Sequence, residues 1–291
     1  MKNVDIIIIG GGPAGMISAI QLKRYGITAL LFEPNRMGGL LWNANLVENY
    51  PGFPEGIPGP QLVEKFSNHF ESLSLQHTPQ RVSRIDFQGD YFVVTTDQQD
   101  YASRAVIVAT GTRPINFPGD FIPNKASEYI FYEVAPLLNV EGQHIAIIGA
   151  GDAAFDYALN LSRKNHVIIL NRTREIKALP LLVERCAKIQ HIQYYQDMPV
   201  SEIFTNEDGL ILRTVQDEVP YFEVNLLIGA IGREENLPPM SDQLRIKSAS
   251  LVDSGRLHFV GDVQNGIYRQ TAIAIGDGLK AAMKVYQFLK E

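Results

Sequence analysis

The chain has 291 residues, of which 45% are hydrophobic and 20% charged, so its composition is that of a globular protein long enough for two domains. Its 32 acidic residues outnumber 26 basic ones and give a net charge of -6, which argues against general nucleic-acid binding, because such binding needs a basic surface. The single cysteine, Cys186, excludes an intrachain disulfide and a cysteine-rich metal site, and it fits a reducing compartment. We therefore expect a cytoplasmic protein without a bound metal.

The amino-terminal residues have the pattern of a β-α-β unit. An apolar run at residues 4–9 predicts a buried strand, residues 13–25 a helix, and residues 28–32 a second strand. The apolar run is too short to span a membrane and ends in a glycine-rich turn, so we expect no membrane anchor.

The remainder of the chain continues this alternation and includes a second β-α-β unit. In chain order the sequence predicts a loop at 38–60, a helix at 61–73, strands at 81–96 and 105–109, a strand at 145–148, a helix at 152–162, a strand at 167–170, an amphipathic helix at 181–188, further strands within 210–230, a strand and turn at 255–262, and a closing helix at 271–290. The predicted fold is α/β, with two Rossmann-like dinucleotide-binding domains.

Two glycine-rich turns have the spacing of dinucleotide fingerprints, and each follows a predicted strand and opens a predicted helix, as the motif requires. In the first turn, Gly10 permits the tight bend, Gly12 lets the backbone approach a pyrophosphate, and Gly15 lets the helix pack close to the strand. The helix N-termini offer free N–H groups and the positive end of a dipole to the phosphates. The two turns consist of Gly10, Gly12, Pro13, Ala14 and Gly15, and of Gly149, Gly151, Asp152, Ala153 and Ala154.

The ends of the second strands indicate which dinucleotide each unit binds. Glu33 stands where a carboxylate accepts hydrogen bonds from an adenosine ribose, and the alternative is a solvated carboxylate at a strand end. The second unit has no carboxylate at this point; Asn171 is followed by the cations Arg172 and Lys177. These cations favour the 2′-phosphate of NADPH over the hydroxyl of NADH, unless they form an ordinary basic surface turn.

Together these residues resemble the low-molecular-weight thioredoxin reductase family of FAD- and NADPH-dependent flavoproteins. The resemblance covers nearly the whole chain and includes the segments 38–41, 47–54, 109–111, 261–263 and 268–272. It implies an FAD-binding domain at 1–113 and 246–291, an NADPH-binding domain at 114–245, and a homodimer.

The resemblance also implies which residues contact the two cofactors. Besides the first fingerprint, FAD would contact Glu33, Gly39, Leu40, Asn49, Val82, Ala109, Thr110, Gly111, Gly261, Asp262, Arg269, Gln270 and Thr271. Besides the second fingerprint, NADPH would contact Asn171, Arg172, Lys177 and Gly232. For Asp262 the alternative is a turn-forming residue, and for Asn49 and Gln270 it is plain loop structure.

The chain departs from this family at the redox disulfide. The family carries a Cys-x-x-Cys pair just before the second fingerprint, whereas residues 127–134 contain no cysteine. Disulfide exchange needs an attacking thiolate and a partner sulfur, so the usual intramolecular route to thioredoxin is missing. We expect Cys186 to be a small buried hydrophobic residue rather than a redox group. A second departure is Leu40, which replaces a glutamine of the family, but the pyrophosphate and ribose determinants still predict FAD.

Aromatic residues occupy the place of the missing disulfide. Tyr129, Phe131 and Tyr132 either cover the isoalloxazine ring or belong to a packed strand or helix start. Glu133 stands where the family has an acid that serves the thiols, and without thiols we expect it to be structural. The thioredoxin-reductase-like ferredoxin/flavodoxin–NADP reductases, which this chain resembles in this respect, also lack the cysteine pair.

We therefore predict an FAD-dependent NAD(P)H oxidoreductase. NADPH, or less favourably NADH, would deliver hydride to FAD, and the electrons would pass to a non-disulfide acceptor such as ferredoxin, flavodoxin, a quinone or oxygen. The alternatives are an FAD-binding redox sensor or assembly partner without turnover, and a disulfide reductase that relies on the thiols of a partner protein. The sequence identifies no catalytic acid or base and no metal-ligand cluster, because its six histidines are scattered, and His144 and His166 suit packing or surface roles.

Overall fold

The structure is a computed structural model that describes residues 1–123 and 125–290. The α-helices are α1 (Pro13–Arg24), α2 (Gly59–Ser72), α3 (Asp152–Leu161), α4 (Pro180–Ala187), α5 (Asp242–Asp253) and α6 (Thr271–Lys290). The strands are β1 (Lys2–Ile9), β2 (Leu30–Phe32), β3 (His77–Thr78), β4 (Val82–Gln88), β5 (Tyr91–Thr96), β6 (Asp100–Val108), β7 (Thr112–Pro114), β8 (Ile130–Phe131), β9 (His144–Ile148), β10 (His166–Leu170), β11 (Ile192–Tyr195), β12 (Val200–Thr205), β13 (Leu210–Thr214), β14 (Tyr221–Val224), β15 (Leu226–Gly229), β16 (Arg233–Glu235) and β17 (Leu257–Phe259). Short 3-10 turns lie at Gly39–Asn43, Gly119–Phe121, Ala135–Leu137 and Gly261–Val263.

The chain forms two units. The first contains the described residues of 1–42, 48–113 and 235–290, and the second contains those of 43–47 and 114–234. Residues 235–245, predicted to belong with the second unit, lie in the first, and residues 43–47, predicted to belong with the first, lie in the second.

The physical reason for the first difference is α5, which the sequence pattern did not reveal. A boundary at 245/246 would cut this helix, which begins after Ser241, whose hydroxyl accepts a hydrogen bond from the Leu244 amide at 3.2 Å. Leu244 and Leu251 are buried in an apolar cluster of the first unit. The helix was missed because its apolar pattern is misleading: the Ile246 side chain is 84% exposed.

The first unit is built on a seven-stranded sheet. Its order is β3-β2-β1-β6-β5-β4, with β17 also paired to β6. The strands β3, β2, β1, β6 and β17 pair in parallel, and β5 and β4 continue the sheet in antiparallel pairing. Alternate residues of β1 enter different apolar clusters, Ile6 and Ile8 in one and Ile7 and Ile9 in the other, because successive side chains of a strand point to opposite faces.

The second unit repeats the β-α-β arrangement on a smaller sheet. Five parallel strands have the order β11-β10-β9-β15-β8, and α3 connects β9 to β10. Phe155 of α3 is buried with Ile145 and Ile147 of β9. A separate antiparallel sheet contains β12, β13 and β14. The predicted α/β class and both predicted β-α-β units are therefore confirmed, with element ends displaced by one or two residues. Among the described helices, none has both the length and the apolar character needed to cross a bilayer.

A close contact between α1 and α6 holds the first unit together. A Cβ atom at Gly278 would lie 2.3 Å from the Ala14 carbonyl oxygen and 2.7 Å from the Ile17 side chain. The Ser18 hydroxyl donates to the carbonyl oxygens of Ala14 at 2.7 Å and Gly278 at 3.0 Å. Only glycine at 278 allows the two helices to approach this closely.

The Gly278→Ala substitution should therefore destabilise the protein by about 1–3 kcal/mol, because the methyl group overpacks the helix contact. Gly276→Ala is the matched control in the same helix, since a Cβ there would meet no atom within 4 Å. That change should stabilise the protein by about 0.5–1 kcal/mol through helix propensity. Denaturant unfolding of both variants measures the difference, and equal effects would contradict the role of the contact.

Candidate functional site

The first glycine turn connects β1 to α1, and two of its glycines have no room for a side chain. Gly10 has a φ of +107°, and a Cβ there would lie 2.3 Å from the Ala109 carbonyl oxygen. A Cβ at Gly15 would lie 1.9 Å from the Gly10 carbonyl oxygen. Both positions therefore require glycine for the turn to form.

Gly12 differs, because the space beside it is open. It is the N-cap of α1, has no side chain that caps the helix, and a Cβ there would meet no atom within 4 Å. Pro13 begins the helix, and Ala14 is buried beneath it. The open space at the positive end of the helix dipole is where a phosphate group would be stabilised.

Glu33 lies directly against this turn. One of its carboxylate oxygens accepts a hydrogen bond from the Gly11 amide at 2.8 Å, and the other accepts from the Asn35 amide at 3.0 Å. The carboxylate is thus fixed beside the glycine turn, as a ribose ligand would need to be.

Several other predicted residues surround the same turn. A Cβ at Gly39 would lie 3.3 Å from the Gly12 Cα, and one at Gly261 would lie 3.2 Å from the Ala14 Cβ. Ala109 donates its amide to the Ile9 carbonyl at 2.7 Å and so follows the neighbouring strand into the turn. The structure thus brings together residues from both ends of the chain.

Thr110 supplies a direct test of whether a ligand fits here. Its hydroxyl oxygen is buried and has no hydrogen-bond partner in the described residues. A buried hydroxyl without a partner is costly, so this atom is suited to a polar group that binds next to the turn. Gly111 follows with a φ of +63° and open space at its Cβ position.

The remaining predicted contacts of the first unit fall into three places. The Asn49 amide donates to the Gln270 side-chain oxygen at 2.8 Å, so these two distant residues are joined. Asp262 lies in the 3-10 turn Gly261–Val263. Thr271 is the first residue of α6, and Arg269 lies just before this helix. Leu40 lies in the 3-10 turn Gly39–Asn43, whereas Val82 begins β4 and packs against an apolar cluster.

Sequence reasoning missed Asp277, which positions the late turn. Its carboxylate accepts hydrogen bonds from the Gly261 amide at 3.2 Å and from the Asn265 side chain at 2.6 Å. No sequence signal marks it, because an acidic residue on a helix is ordinarily a solvated one.

The second glycine turn connects β9 to α3 and has the same construction. Gly149 has a φ of +146°, and a Cβ there would lie 2.3 Å from the Ala230 carbonyl oxygen. Gly151 is the N-cap of α3, with no capping side chain and no atom within 4 Å of its Cβ position. Ala153 is exposed at the start of the helix and Ala154 is buried. This unit therefore presents a second open helix N-terminus.

The loop after β10 folds back toward the second turn. The Lys177 amide donates to the Ala150 carbonyl at 2.9 Å, and the Asp152 carboxylate accepts from the Leu179 amide at 2.7 Å. Arg172 is exposed in this loop. Arg174, the second arginine of the loop, forms an ion pair with Asp197.

Asn171 and Gly232 have local structural roles in the second unit. The buried Asn171 amide donates to the Glu175 carbonyl and to the Tyr194 hydroxyl, both at 2.9 Å, and so shapes the loop that carries Arg172. Gly232 has a φ of +135°, and its carbonyl accepts from the Ile115 amide at 3.0 Å.

The residues in place of a redox disulfide are packed. Phe131 lies in β8, which pairs with β15, and packs against an apolar cluster. The Tyr132 hydroxyl accepts from the Phe117 amide at 3.0 Å, and its ring lies 5.6 Å from the Phe117 ring. Tyr129 packs beside the same cluster as Tyr132. These contacts are those of the packed-strand alternative.

Glu133 and Cys186 have the structural environments that we expected. Glu133 pairs with Arg233 at 3.0 Å. Cys186 is buried on α4, and its thiol lies 3.5 Å from the Phe155 carbonyl oxygen. Burial raises the pKa of the Cys186 thiol to about 11, so the thiol stays protonated and unreactive at neutral pH.

Asp156 is a partly buried acid that sequence reasoning missed. Its carboxylate accepts a hydrogen bond from the Asn45 amide at 2.8 Å, and Arg163 donates to the Asn45 side chain at 2.6 Å. The neighbouring Asn43 side chain accepts from the Ala135 amide at 2.9 Å. Burial raises the pKa of Asp156 to about 6, although the Asn45 hydrogen bond and the Arg163 charge lower it. These contacts hold residues 43–47 in the second unit.

Across residues 1–123 and 125–290, no group of three or more His, Cys, Asp or Glu side chains is arranged to hold a metal ion. However, the expectation that the histidines are scattered was wrong. The His166 ring contacts the rings of both His144 and His191, because neighbouring strands begin at or next to these residues.

Comparisons with known proteins agree with this geometry. The family model of pyridine nucleotide-disulphide oxidoreductases matches residues 4–278. The bifunctional thioredoxin reductase/thioredoxin of Mycobacterium leprae (strain TN) is 32% identical over 308 residues, which cover 99% of this chain and 66% of that protein. The chain thus spans somewhat less than two thirds of the length of that relative.

Two further relatives match along nearly their whole length. The thioredoxin reductase of Bacillus subtilis (strain 168) is 28% identical over 307 residues, which cover 100% of this chain and 96% of that protein. The crystal structure of Lactococcus lactis thioredoxin reductase superposes with a TM-score of 0.82 at 28% identity and covers 99% of both chains.

The raised pKa of Asp156 predicts a pH-dependent stability. Because the folded chain holds this proton more tightly than the unfolded chain does, its contribution to the free energy of unfolding falls as the pH rises from about 4 to about 6. The loss amounts to at most roughly 3 kcal/mol. The Asp156→Asn variant keeps an acceptor for the Asn45 amide but cannot titrate. As the pH rises across this range, the free energy of unfolding of the wild type should therefore fall relative to that of the variant.

Urea unfolding of both proteins at pH 4.5, 5.5 and 7 measures this difference. Asp217→Asn is the control, because Asp217 is an exposed acid of the same unit. Parallel pH profiles for wild type and the Asp156 variant would contradict the prediction.

Proposed function

Because the chain belongs to the pyridine nucleotide-disulphide oxidoreductase family, we propose that it is an FAD-dependent NAD(P)H oxidoreductase whose electron acceptor is not an internal disulfide. The observation that carries the proposal is the pair of glycine turns, each of which leaves an open helix N-terminus beside Gly12 or Gly151. The related thioredoxin reductases use FAD and NADPH.

The first unit is the proposed FAD domain. The open space at Gly12 would receive the pyrophosphate, the fixed Glu33 carboxylate would accept from the ribose, and the buried Thr110 hydroxyl would gain a polar partner. Its other proposed FAD residues are Gly10, Pro13, Ala14, Gly15, Gly39, Leu40, Asn49, Val82, Ala109, Gly111, Gly261, Asp262, Arg269, Gln270 and Thr271. Bound FAD would supply the hydride-accepting and electron-donating chemistry.

The second unit is the proposed NADPH domain. The N-terminus of α3 at Gly151 would receive the pyrophosphate, and the Arg172 guanidinium would contact the 2′-phosphate with Lys177 beside it. Both arginines of this loop are exposed, but Arg174 is paired with Asp197, so we assign the phosphate to Arg172. Gly149, Asp152, Ala153, Ala154, Asn171 and Gly232 complete the proposed set.

The cysteine content of the chain argues against an internal disulfide as the electron acceptor. Disulfide exchange needs a thiolate, but the single thiol of these 291 residues is buried at Cys186, and its pKa is raised. We therefore propose ferredoxin, flavodoxin, a quinone or oxygen as the acceptor. We also propose that the protein is a cytoplasmic homodimer.

A second candidate function is favoured by one specific comparison. The relatives are named thioredoxin reductases, and the Mycobacterium leprae protein is named as a fusion with thioredoxin. A disulfide reductase that borrows the thiols of a partner protein would agree with those names. It would reduce no disulfide alone and would gain that activity when the partner is added.

The two glycine turns predict opposite effects of two matched variants. Gly12→Ala places a methyl group in the proposed FAD pyrophosphate site, and Gly151→Ala does the same in the proposed NADPH site. Because a Cβ meets no protein atom at either position, both variants should fold normally. Gly12→Ala should weaken FAD retention at least tenfold and Gly151→Ala the affinity for NADPH at least tenfold, each leaving the other cofactor within threefold.

Fluorescence titration of apoprotein with FAD, and of holoprotein with NADPH, measures both affinities. If either variant affects the two cofactors equally, the assignment of one turn to each cofactor is wrong.

The proposed hydride path is tested by anaerobic stopped-flow absorbance of the FAD-loaded protein mixed with NADPH or NADH. We expect fast loss of the oxidised-flavin band, faster with subsaturating NADPH than with NADH. Arg172→Ala should raise the NADPH concentration needed for half-maximal rate at least tenfold, since a charge-assisted contact is worth about 1.5–3 kcal/mol. It should leave the NADH concentration dependence unchanged.

Lys188→Ala is the control, because it removes an equal charge from the same unit at a residue paired with Glu184. The absence of flavin reduction by either nucleotide would overturn the proposal and favour a redox sensor or assembly partner without turnover.

A further inference from the structure

Three of the six histidines meet at one edge of the sheet of the second unit. His144 begins β9, His166 begins β10, and the two residues are register partners in the parallel pair. His191 immediately precedes β11, and its carbonyl accepts from the Val167 amide at 2.8 Å. All three side chains are exposed, so solvent ions can reach them.

The rings of His166 and His191 approach through their nitrogen atoms. The two Nδ1 atoms lie 3.3 Å apart, and the rings are nearly perpendicular, with an interplanar angle of 78° and centroids 4.7 Å apart. His144 contacts His166 differently, because its ring is stacked nearly parallel at 16° with a centroid distance of 5.1 Å. One pair thus brings two donor atoms together and the other pair brings two faces together.

We propose that His166 and His191 form a two-nitrogen binding site for a divalent transition-metal cation of the Zn²⁺, Ni²⁺ or Cu²⁺ class. Zinc–nitrogen bonds are about 2.0–2.1 Å long and structural zinc is tetrahedral, so two nitrogens on one zinc ion lie about 3.3–3.4 Å apart. The observed Nδ1 separation of 3.3 Å therefore already has the bite of a chelate. Water molecules would supply the remaining ligands, which agrees with the absence of a third protein ligand among the described residues.

The protonation chemistry is also favourable. The 3.3 Å separation of the two Nδ1 atoms is within hydrogen-bond distance when one of them carries a proton. Coordination through both Nδ1 atoms requires only that each neutral ring carry its proton on Nε2.

The site is separate from the proposed nucleotide site. The histidines lie at the amino ends of the strands, whereas the Gly149 turn follows the carboxyl end of β9. A strand of this length separates its two ends by about 13 Å. Metal binding and nucleotide binding therefore do not compete for the same residues.

His144 is a positioning residue in this arrangement. Its ring stacks on one face of His166, and among the described residues no group of three His, Cys, Asp or Glu side chains is arranged to hold an ion, so we infer that His144 is not a third ligand. Loss of His144 should thus cost little affinity, whereas loss of either chelating histidine should remove the site.

Isothermal titration of tag-free, FAD-loaded protein with ZnCl₂ at pH 7.5 tests the proposal, with MgCl₂ as the hard-cation comparison. We expect one Zn²⁺ per chain and no Mg²⁺ binding. His166→Asn and His191→Asn should each weaken Zn²⁺ binding at least tenfold, and His144→Asn less than threefold. His69→Asn, a change at an exposed histidine of the first unit, should have no effect.

A second measurement keeps the assignment independent of the variants. In wild-type protein, Zn²⁺ should change the imidazole chemical shifts in carbon-proton NMR spectra most strongly for His166 and His191. Zn²⁺ binding that survives both histidine changes, or no Zn²⁺ binding at pH 7.5, would overturn the proposal. Because neither measurement uses flavin reduction, this result is independent of the proposed function.

Discussion

The structure depends on one constraint that occurs twice. At the end of a strand, a glycine lies so close to the backbone of a neighbouring strand that no Cβ atom would fit: the carbonyl oxygen of Ala109 would lie 2.3 Å from a Cβ at Gly10, and that of Ala230 would lie 2.3 Å from a Cβ at Gly149. At the first turn, Gly10 donates its amide to Phe32 at 2.8 Å, while Ala109 donates to Ile9 at 2.7 Å. The second turn repeats this pattern, with Gly149 donating to Leu170 at 3.1 Å and Ala230 donating to Ile148 at 2.9 Å. In each unit, three parallel strands are thus tied together at the point where the helix begins.

The tight bends are followed by open helix N-termini. The N-cap residues, Gly12 and Gly151, carry no side chain over the first helical amides, and a Cβ at either position would meet no atom within 4 Å. Relative to glycine, a capping serine or aspartate would have stabilised each helix by about a few tenths of a kcal/mol. The chain forgoes that stability at both positions, and a bound phosphate would supply the missing acceptors.

Sequence reasoning found the features that depend on local patterns and missed those that depend on tertiary contacts. Apolar runs and glycine spacing predicted both β-α-β units, because strand, turn and helix are consecutive there. The helix α5 was missed since its apolar Ile246 is exposed and its burial depends on Leu244 and Leu251. The sequence also did not predict the hydrogen bond between Asp156 and Asn45 or the contact between His166 and His191, because these partners are separated by 111 and 25 residues.

The packing of Cys186 bears on which group could accept electrons in this protein. Its thiol is held against the Phe155 carbonyl within the core of the second unit, and burial raises the pKa of that thiol, so two requirements of a redox thiol, access and ionisation, fail together. The residues in the place of the missing disulfide are likewise committed to packing, through the Tyr132 contact with Phe117 and the ion pair of Glu133 with Arg233. If the two dinucleotide turns bind FAD and NADPH as we propose, a chain whose single thiol is buried would need an acceptor that reaches the flavin itself or brings its own thiols.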